Sequence, residues 1–421
     1  MCSAGGEGLA PRSGLATRTI VQRYYAVSLV YALASGFLVG VYPLFLRSRG
    51  LTQFEINSVL AVYFMVTFLT DVPTGAFADA LGRRRSFVLG CALRSFAFAF
   101  YFFSYSYVLF LVAETIDAIG TAFCNGAVDA WGVDALDEAG FEGRKDAIFS
   151  RISQLSSLGV MATALIGAAA ATVEIAWPWL LGAGGFFVAG VVGILMREQE
   201  RGTAHLDLAA VRRAIAARVG MGVRRGLRLR QVRLLSLAEA IVLTAWAPYW
   251  LEWPLLFKDA YGVGVWIVGW VFCALTLAHM IGAEILARLV GFAPRRRHVA
   301  SGLVIAAGLL LFGAGSLVTR PNHAIAVLFL MNICLGAREP LARAWFNEQL
   351  GPDDRATMLS FRSAMATAGA SIGLLLGGYL VDLRGIPFQW RVAGTIALLA
   401  VPCYWVLKSR TAGAAPLTVV A

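Results

Sequence analysis

The stretch DVPTGAFADALGRRRSFVLG, from Asp71 to Gly90, places a glycine-centred basic turn between two apolar runs. Gly75 and Asp79 stand four residues apart, so a helix ending here carries both on one face. A glycine on that face admits close approach of a neighbouring helix, as small residues do in membranes. Asp79 falls where the run ends, so its charge can be met by basic side chains or by the positive N-terminal end of another helix. Gly82 suits a tight turn, and Arg83, Arg84 and Arg85 follow it. On either side the chain is apolar, over about 55–78 and 87–104.

Outward from this turn the same alternation continues along all 421 residues. Apolar segments fall at about 23–46, 55–78, 87–104, 107–129, 147–172, 175–196, 234–257, 264–290, 299–318, 324–345, 357–381 and 389–408. The chain is 59% hydrophobic and 14% charged, with a mean hydropathy of +0.71. Soluble domains are about half apolar and a quarter charged. So much apolar surface has no core to hide in, and runs of ~20 such residues are long enough to span a bilayer as helices. Alternating ten-residue segments of a barrel are absent. Lipid offers no hydrogen bonds, so each span satisfies its own backbone as a helix. The expected fold is an all-α membrane protein of twelve transmembrane helices.

The net charge of +11 is distributed in short arginine blocks between the apolar runs. That placement orients a membrane protein and does not make a nucleic-acid patch. With the N-terminus inside, the inner segments receive Arg12, Arg18, Arg23, Arg83 to Arg85, Arg144, Lys145, the stretch Arg197 to Arg233, Arg295 to Arg297, Arg355, Lys408 and Arg410. The outer loops keep Arg47, Arg49, Lys258, Arg320 and Arg384. Both termini are therefore expected in the cytoplasm, with the chain in the cell inner membrane. Residues 1–20 are polar and lead into a run without a clear A-x-A site, so no cleavable signal is expected. The six cysteines form no CxxC pair and read as small packing residues.

One long connection splits the spans six and six. The expected organisation is a tail over 1–22, a first bundle over 23–196, a basic linker over 197–233, a second bundle over 234–408 and a tail over 409–421. Within the linker, LDLAAVRRAIAARVG sets Leu206, Val211, Ile215 and Val219 on one helical face, with Arg212, Arg213 and Arg218 elsewhere. Two readings fit: a helix on the membrane surface held by anionic lipid, or a solvated linker helix. The halves echo each other. GAVDAWGVDAL parallels GAREPLARAWFNEQL, aligning Ala130-Trp131 with Ala344-Trp345, and RKDAIFSRISQ then parallels DRATMLSFRSA at nearly the same offset. Such repetition points to duplication into two six-helix pseudo-repeats.

Gly75, Asp79, Gly82, Arg83 and Arg84 occupy the positions of the G-x-x-x-D-x-x-G-R-[RK] signature joining helices two and three, and the chain thereby resembles the major facilitator superfamily. The resemblance implies two bundles around a central cavity. It also implies a cytoplasmic gate in which Gly75, Asp79, Gly82, Arg83 and Arg84 form a latch; the competing reading is a turn that serves only to orient the chain. A weaker echo, GAEILARLVGFAPRRR, keeps Gly282 and the arginines without the aspartate, so the latch is expected to be stronger in the first half. Two family features are replaced. Ile116 stands where an arginine often precedes the position of Gly120, and the fifth segment has Gly159 and Gly167 without the proline of many proton-coupled drug exporters.

Ionisable residues at membrane depth are costly and mark candidate sites. Glu114 and Asp117 share a face of the fourth segment and could exchange a proton or hold a cationic substrate; alternatively they pair with Arg94 at similar depth in the third. Asp71, one turn before Gly75, reads as part of the latch before a substrate-binding residue. Glu239 and Glu252 lie near the two ends of the seventh segment, and the Trp246, Tyr249, Trp250 and Trp253 cluster around Glu252 reads as an interfacial belt, with substrate stacking as the minority reading. His279 and Glu284 lie in the eighth segment, and Asn332, Arg338 and Glu339 in the tenth. His279 reads as a hydrogen-bonded packing residue before a proton relay, while Arg338, Glu339 and Arg362 read mainly as gating ion-pair members.

No P-loop, H-E-x-x-H, GxSxG or metal-ligand cluster is present, so neither an enzyme nor a cofactor nor a metal is expected. The expectation is alternating access with a site near the midplane, moving a small solute across the cytoplasmic membrane. Efflux of a small organic compound in exchange for protons leads. An importer or symporter of a nutrient or organic anion, with Arg338 or Arg362 on the substrate, is the alternative, and a transporter-like sensor is the alternative from another class. The expected partners are the solute, protons and membrane lipids, with no nucleic acid, and the chain is expected to act as a monomer.

Overall fold

The computed structural model describes residues 12–198, 224–289, 296–317, 319–348, 350 and 355–406. Among these residues the ordered elements are helices, and no strand occurs. In the first half they are α1 (Arg12–Gly36), α2 (Tyr42–Ser48), α3 (Gln53–Leu81), α4 (Arg83–Phe102), α5 (Tyr107–Cys124), α6 (Ala127–Glu138), α7 (Lys145–Val173) and α8 (Trp177–Gly193). In the second they are α9 (Arg230–Trp246), α10 (Tyr249–Leu255), α11 (Val265–Leu289), α12 (Arg296–Leu317), α13 (Pro321–Glu348), α14 (Arg355–Arg384), α15 (Ile386–Leu398) and α16 (Val401–Val406). A π-helical turn over Leu256–Ala260 prolongs α10.

Nine spans among the described residues are long and apolar enough to cross a membrane. The first, third and sixth segments correspond to α1 with α2, to α4, and to the shorter apolar α8 of 17 residues. Several spans are broken. The first leaves its helix after Gly36, turns through Gly40 at φ +80°, and restarts with Pro43 in the first turn of α2, where a missing N–H costs nothing. The fourth breaks at Asn125-Gly126 and runs on as α6 to Glu138, beyond the expected end at 129. The seventh is helical from Arg230, inside the expected linker, and breaks at Ala247-Pro248. Residues 199–223 of the linker, including the amphipathic stretch 206–220, lie outside the described residues.

The halves pack alike. In the first, α4 lies against α5 and α8, α3 against α5, and α1 against α7 and α8. In the second, α12 lies against α13 and α15, α11 against α13, and α9 against α14 and α15. Each contact has its counterpart at the corresponding place in the other repeat, as duplication requires. The halves meet along two equivalent seams, α3 with α14 and α7 with α11, and where α2 packs on α10.

Both seams are close at the end of the molecule away from the Leu81–Arg83 turn. At Gly378 of α14 an added Cβ would lie 2.7 Å from the Phe54 Cα, and at Gly269 of α11 it would lie 2.8 Å from the Ala168 Cβ. We call this the closed end, and the end carrying the Arg83–Arg85 block the basic end.

Within the second half, α9 and α14 touch backbone to backbone: a Cβ on Gly369 would sit 2.2 Å from the Ala240 carbonyl oxygen. Gly369→Ala should therefore lower the thermal unfolding temperature in detergent, overpacking of this kind costing about 1–3 kcal/mol. Gly302→Ala, where the added methyl meets nothing within 4 Å, should leave it unchanged or raise it.

Candidate functional site

The signature residues form a brace at the basic end. Gly82, at φ +102°, ends α3 and opens α4, a conformation that favours glycine. The exposed first amides of α4 are met by a carboxylate: Arg83 N and Arg84 N donate to Glu198 Oε1 and Oε2 at 2.7 and 3.1 Å. Anions suit a helix N-terminus, where unpaired N–H groups and the macrodipole both favour them. Arg83 Nε donates to Asp134 Oδ2 at 3.1 Å, and an Arg83 terminal nitrogen lies 3.5 Å from Asp79, whose side chain is mostly exposed. Asp71 accepts from Asn125 Nδ2 at 3.1 Å.

All of these contacts stay within the first half. Gly75, read from the sequence as a point of close helix approach, has nothing within 4 Å of an added Cβ. The approach is not made in this conformation. Its echo, Gly282 on α11, is the tight one: a Cβ there would lie 2.1 Å from the Ile333 carbonyl oxygen of α13, inside the second half. Glu198 was not singled out in the sequence. It lies 115 residues from Arg83, and nothing local marks it.

Deeper in the first half, Arg94 of α4 forks onto Asp117 of α5, with Nε to Oδ1 at 2.8 Å and a terminal nitrogen to Oδ2 at 3.3 Å. Its other terminal nitrogen donates to the Tyr31 hydroxyl at 2.7 Å, and its guanidinium lies 4.0 Å from the Phe186 ring centroid. Charge-assisted, two-pronged pairing and a ring face together replace the lost water. Glu114, three residues before Asp117 and also buried, takes no part in this pair. It accepts a hydrogen bond from the Tyr101 hydroxyl, and Tyr101 stacks on Trp179 at 3.8 Å. The two carboxyls singled out together thus have different surroundings. The tyrosines and Phe186 that make the difference were unmarked in the sequence, since aromatic residues abound in every span.

In the second half, Arg338 of α13 forks onto Glu239 of α9 at 2.8 and 3.3 Å and reaches the Tyr404 hydroxyl at 3.5 Å. Arg362 of α14 lies 3.7 Å from the same Glu239. His279 of α11 lies 3.6 Å from Glu339 of α13, both partly exposed. Asn332 donates to the Tyr249 hydroxyl at 3.2 Å and to the Leu328 carbonyl at 2.8 Å. Glu252 accepts from Trp390 Nε1 at 2.8 Å.

The interfacial-belt reading of the aromatics around Glu252 is corrected. Trp246, Tyr249 and Trp253 are buried, and Trp250 is the exposed member of the four. The physical reason is the break at Pro248, which turns α10 onto α2 and brings Tyr249 beside Trp390 of α15, so these rings fill the protein interior.

Toward the basic end, a cleft of about 760 Å³ separates α7 from α11, with Ser153, Gln154 and Ser157 on one wall and Met280, Ile281, Ala283 and Glu284 on the other. Its size suits a small organic ligand. The structure is thus closed across one end, and α7 and α11 part toward the other.

Two pseudo-symmetric helical bundles, sealed at one end and with their buried charges largely satisfied within each bundle, define a polytopic membrane carrier. The sequence profile of the Major Facilitator Superfamily matches residues 24–238 and, a second time, residues 235–419. The chain therefore belongs to the Major Facilitator Superfamily and is a multi-pass membrane transporter, not an enzyme. It is 26% identical over 390 residues, 90% of each chain, to the multidrug resistance protein MdtH of Aeromonas hydrophila subsp. hydrophila. In fold it resembles the nucleoside transporter NupG, with a TM-score of 0.66 at 13% identity over 92% of this chain and 97% of that one. It also resembles the human organic anion transporter MFSD10 (TETRAN), with a TM-score of 0.63 at 17% identity over 92% and 99%.

Breaking the Arg94–Asp117 pair from one side strands a charge in a dry interior. Arg94→Leu should destabilise the protein by about 3–5 kcal/mol, and the double variant Arg94→Leu/Asp117→Leu should recover most of that loss. Chemical unfolding in detergent, run on both variants, checks this.

Proposed function

We propose that this transporter exports a small organic compound across the cytoplasmic membrane in exchange for protons. The observation that carries the coupling is Glu114, a buried carboxyl on the fourth span that hydrogen-bonds to a neutral tyrosine, while Asp117 one turn away is committed to Arg94. A carboxyl without a fixed countercharge can take up and release a proton as access alternates, whereas one locked in a two-pronged ion pair holds its bundle together. Similarity to a multidrug resistance protein over 90% of each chain supports export.

On this reading the basic end faces the cytoplasm, following the positive-inside rule, and both termini and the connection over 199–223 lie on that side. The cleft between α7 and α11 is then the cytoplasmic entrance, and the conformation is the one that loads solute from inside. The Asp71, Gly75, Asp79, Gly82, Arg83 and Arg84 group is the cytoplasmic gate in its released state. It would engage the second half only when that entrance closes. His279 and Glu339, partly exposed and on facing helices, belong to the wall of the entrance, and Glu239, Arg338 and Arg362 hold the second bundle together beside it. A monomer contains the whole pathway.

In vesicles with an imposed proton gradient, Glu114→Gln should abolish gradient-driven flux while retaining substrate exchange at equal pH. Gradient-driven flux at the wild-type rate in this variant would remove the coupling role. Orientation is checked separately. A cysteine placed at the exposed Asp259 should react with a membrane-impermeant reagent on whole cells, and one placed at the exposed Arg228 should react only after lysis.

A further inference from the structure

The two seams between the halves are equivalent in position but not in chemistry. Along α7 and α11 the closed end is packed by small groups: Gly269 on Ala168, and Cys273 Sγ reaching the Met161 carbonyl at 3.6 Å. Glu174, just past the end of α7, stays in its own half, accepting from Ala176 N at 3.4 Å. Along α3 and α14 a carboxylate crosses the seam. Asp382, near the end of α14, accepts from Gln53 N at 2.9 Å through Oδ1 and from Phe54 N at 2.8 Å through Oδ2.

The capping of α3 shows what this contact does. Thr52 and Glu55 form a reciprocal capping box, Thr52 Oγ1 accepting from Glu55 N at 3.2 Å and Glu55 Oε2 accepting from Thr52 N at 2.8 Å. The first two helical amides, those of Gln53 and Phe54, are left for another acceptor. That acceptor comes from the other half of the molecule, and as an anion at a helix N-terminus it is doubly suited. The contact is continued inward: Arg47 donates to Gln53 Oε1 at 2.8 Å, Gln53 Nε2 donates to Asn57 Oδ1 at 2.9 Å, and Asn57 Nδ2 donates to the Leu374 carbonyl at 3.0 Å. Gly378 lets the backbones approach closely enough for all of this, with room for no Cβ.

We propose that Asp382 is a releasable clasp that holds the closed end shut by capping a helix of the opposite half. The polar contact is directional while made. It is also cheaply exchanged, because the two amides it leaves sit at the helix end, where water can replace the carboxylate. At the closed end the seam of small groups shows no such carboxylate among the described residues, and it follows the clasp. The proposal rests on the alternating-access reading of the family, and it is independent of transport direction and coupling ion.

The test is the distance across the closed end, measured by pulsed electron paramagnetic resonance between spin-labelled non-natural residues at the exposed Phe103 and Asn322 in the full-length protein. Asp382→Asn keeps the shape but removes the charge and one acceptor. It should raise the ratio of open to closed populations on the order of tenfold, equivalent to about 1.4 kcal/mol. Thr52→Ala breaks only the local half of the cap. It should speed hydrogen exchange at the start of α3 without moving the distance distribution. If Asp382→Asn fails to fold, Gly378→Ala, which wedges the same seam with Asp382 intact, should populate the longer distance. A wild-type distribution in Asp382→Asn, or in Gly378→Ala where Asp382→Asn is lost, overturns the clasp. So does a shift of equal size in Thr52→Ala, which would make the effect one of helix fraying.

Discussion

The hydrocarbon core of the bilayer offers no water, and a charge carried to that depth needs a partner in the protein. That constraint sorts the charges. Arg94 pairs with Asp117, and Arg338 with Glu239, each inside its own bundle and each with a tyrosine hydroxyl as a further partner. Because neither pair reaches across, each half carries its buried charges without help from the other. What lies between the halves is mostly close backbone contact over glycine and alanine, with the polar exceptions gathered at the closed end.

That distribution is what a carrier needs. Breaking a buried ion pair is expensive, whereas parting two helices that touch through small residues is not. A molecule with its strong interactions inside the bundles and its weaker ones between them can change its access without unfolding either part. The breaks at Gly36–Val41 and at Ala247-Pro248 stand at corresponding places in the two repeats. Each sends a short helix, α2 or α10, across to meet the other at the closed end.

The Asp71–Gly90 stretch was legible because its constraint is local: a turn needing Gly82, an arginine block, and two residues one helical turn apart. The candidates at membrane depth were legible because charge there is conspicuous. Their roles were not. Glu114 and Asp117 read as equivalent carboxyls, and only the positions of Arg94, Tyr31 and Tyr101 separate them. The aromatics about Glu252 read as a belt because near a span's end a ring suits the interface as well as the interior, and the bend at Pro248 decides between them. Glu198 and Asp382 were passed over, since a carboxylate that caps a distant helix is indistinguishable in sequence from one dissolved in a loop.

Residue order alone reveals the solvent, the spans, the two repeats and the family, because hydropathy, duplication and a turn motif act over short stretches of chain. The tertiary structure decided which charges pair, which end is shut and where the seams run, because those depend on side chains brought together from positions often more than a hundred residues apart. An isolated span carries no record of the neighbour that will satisfy it.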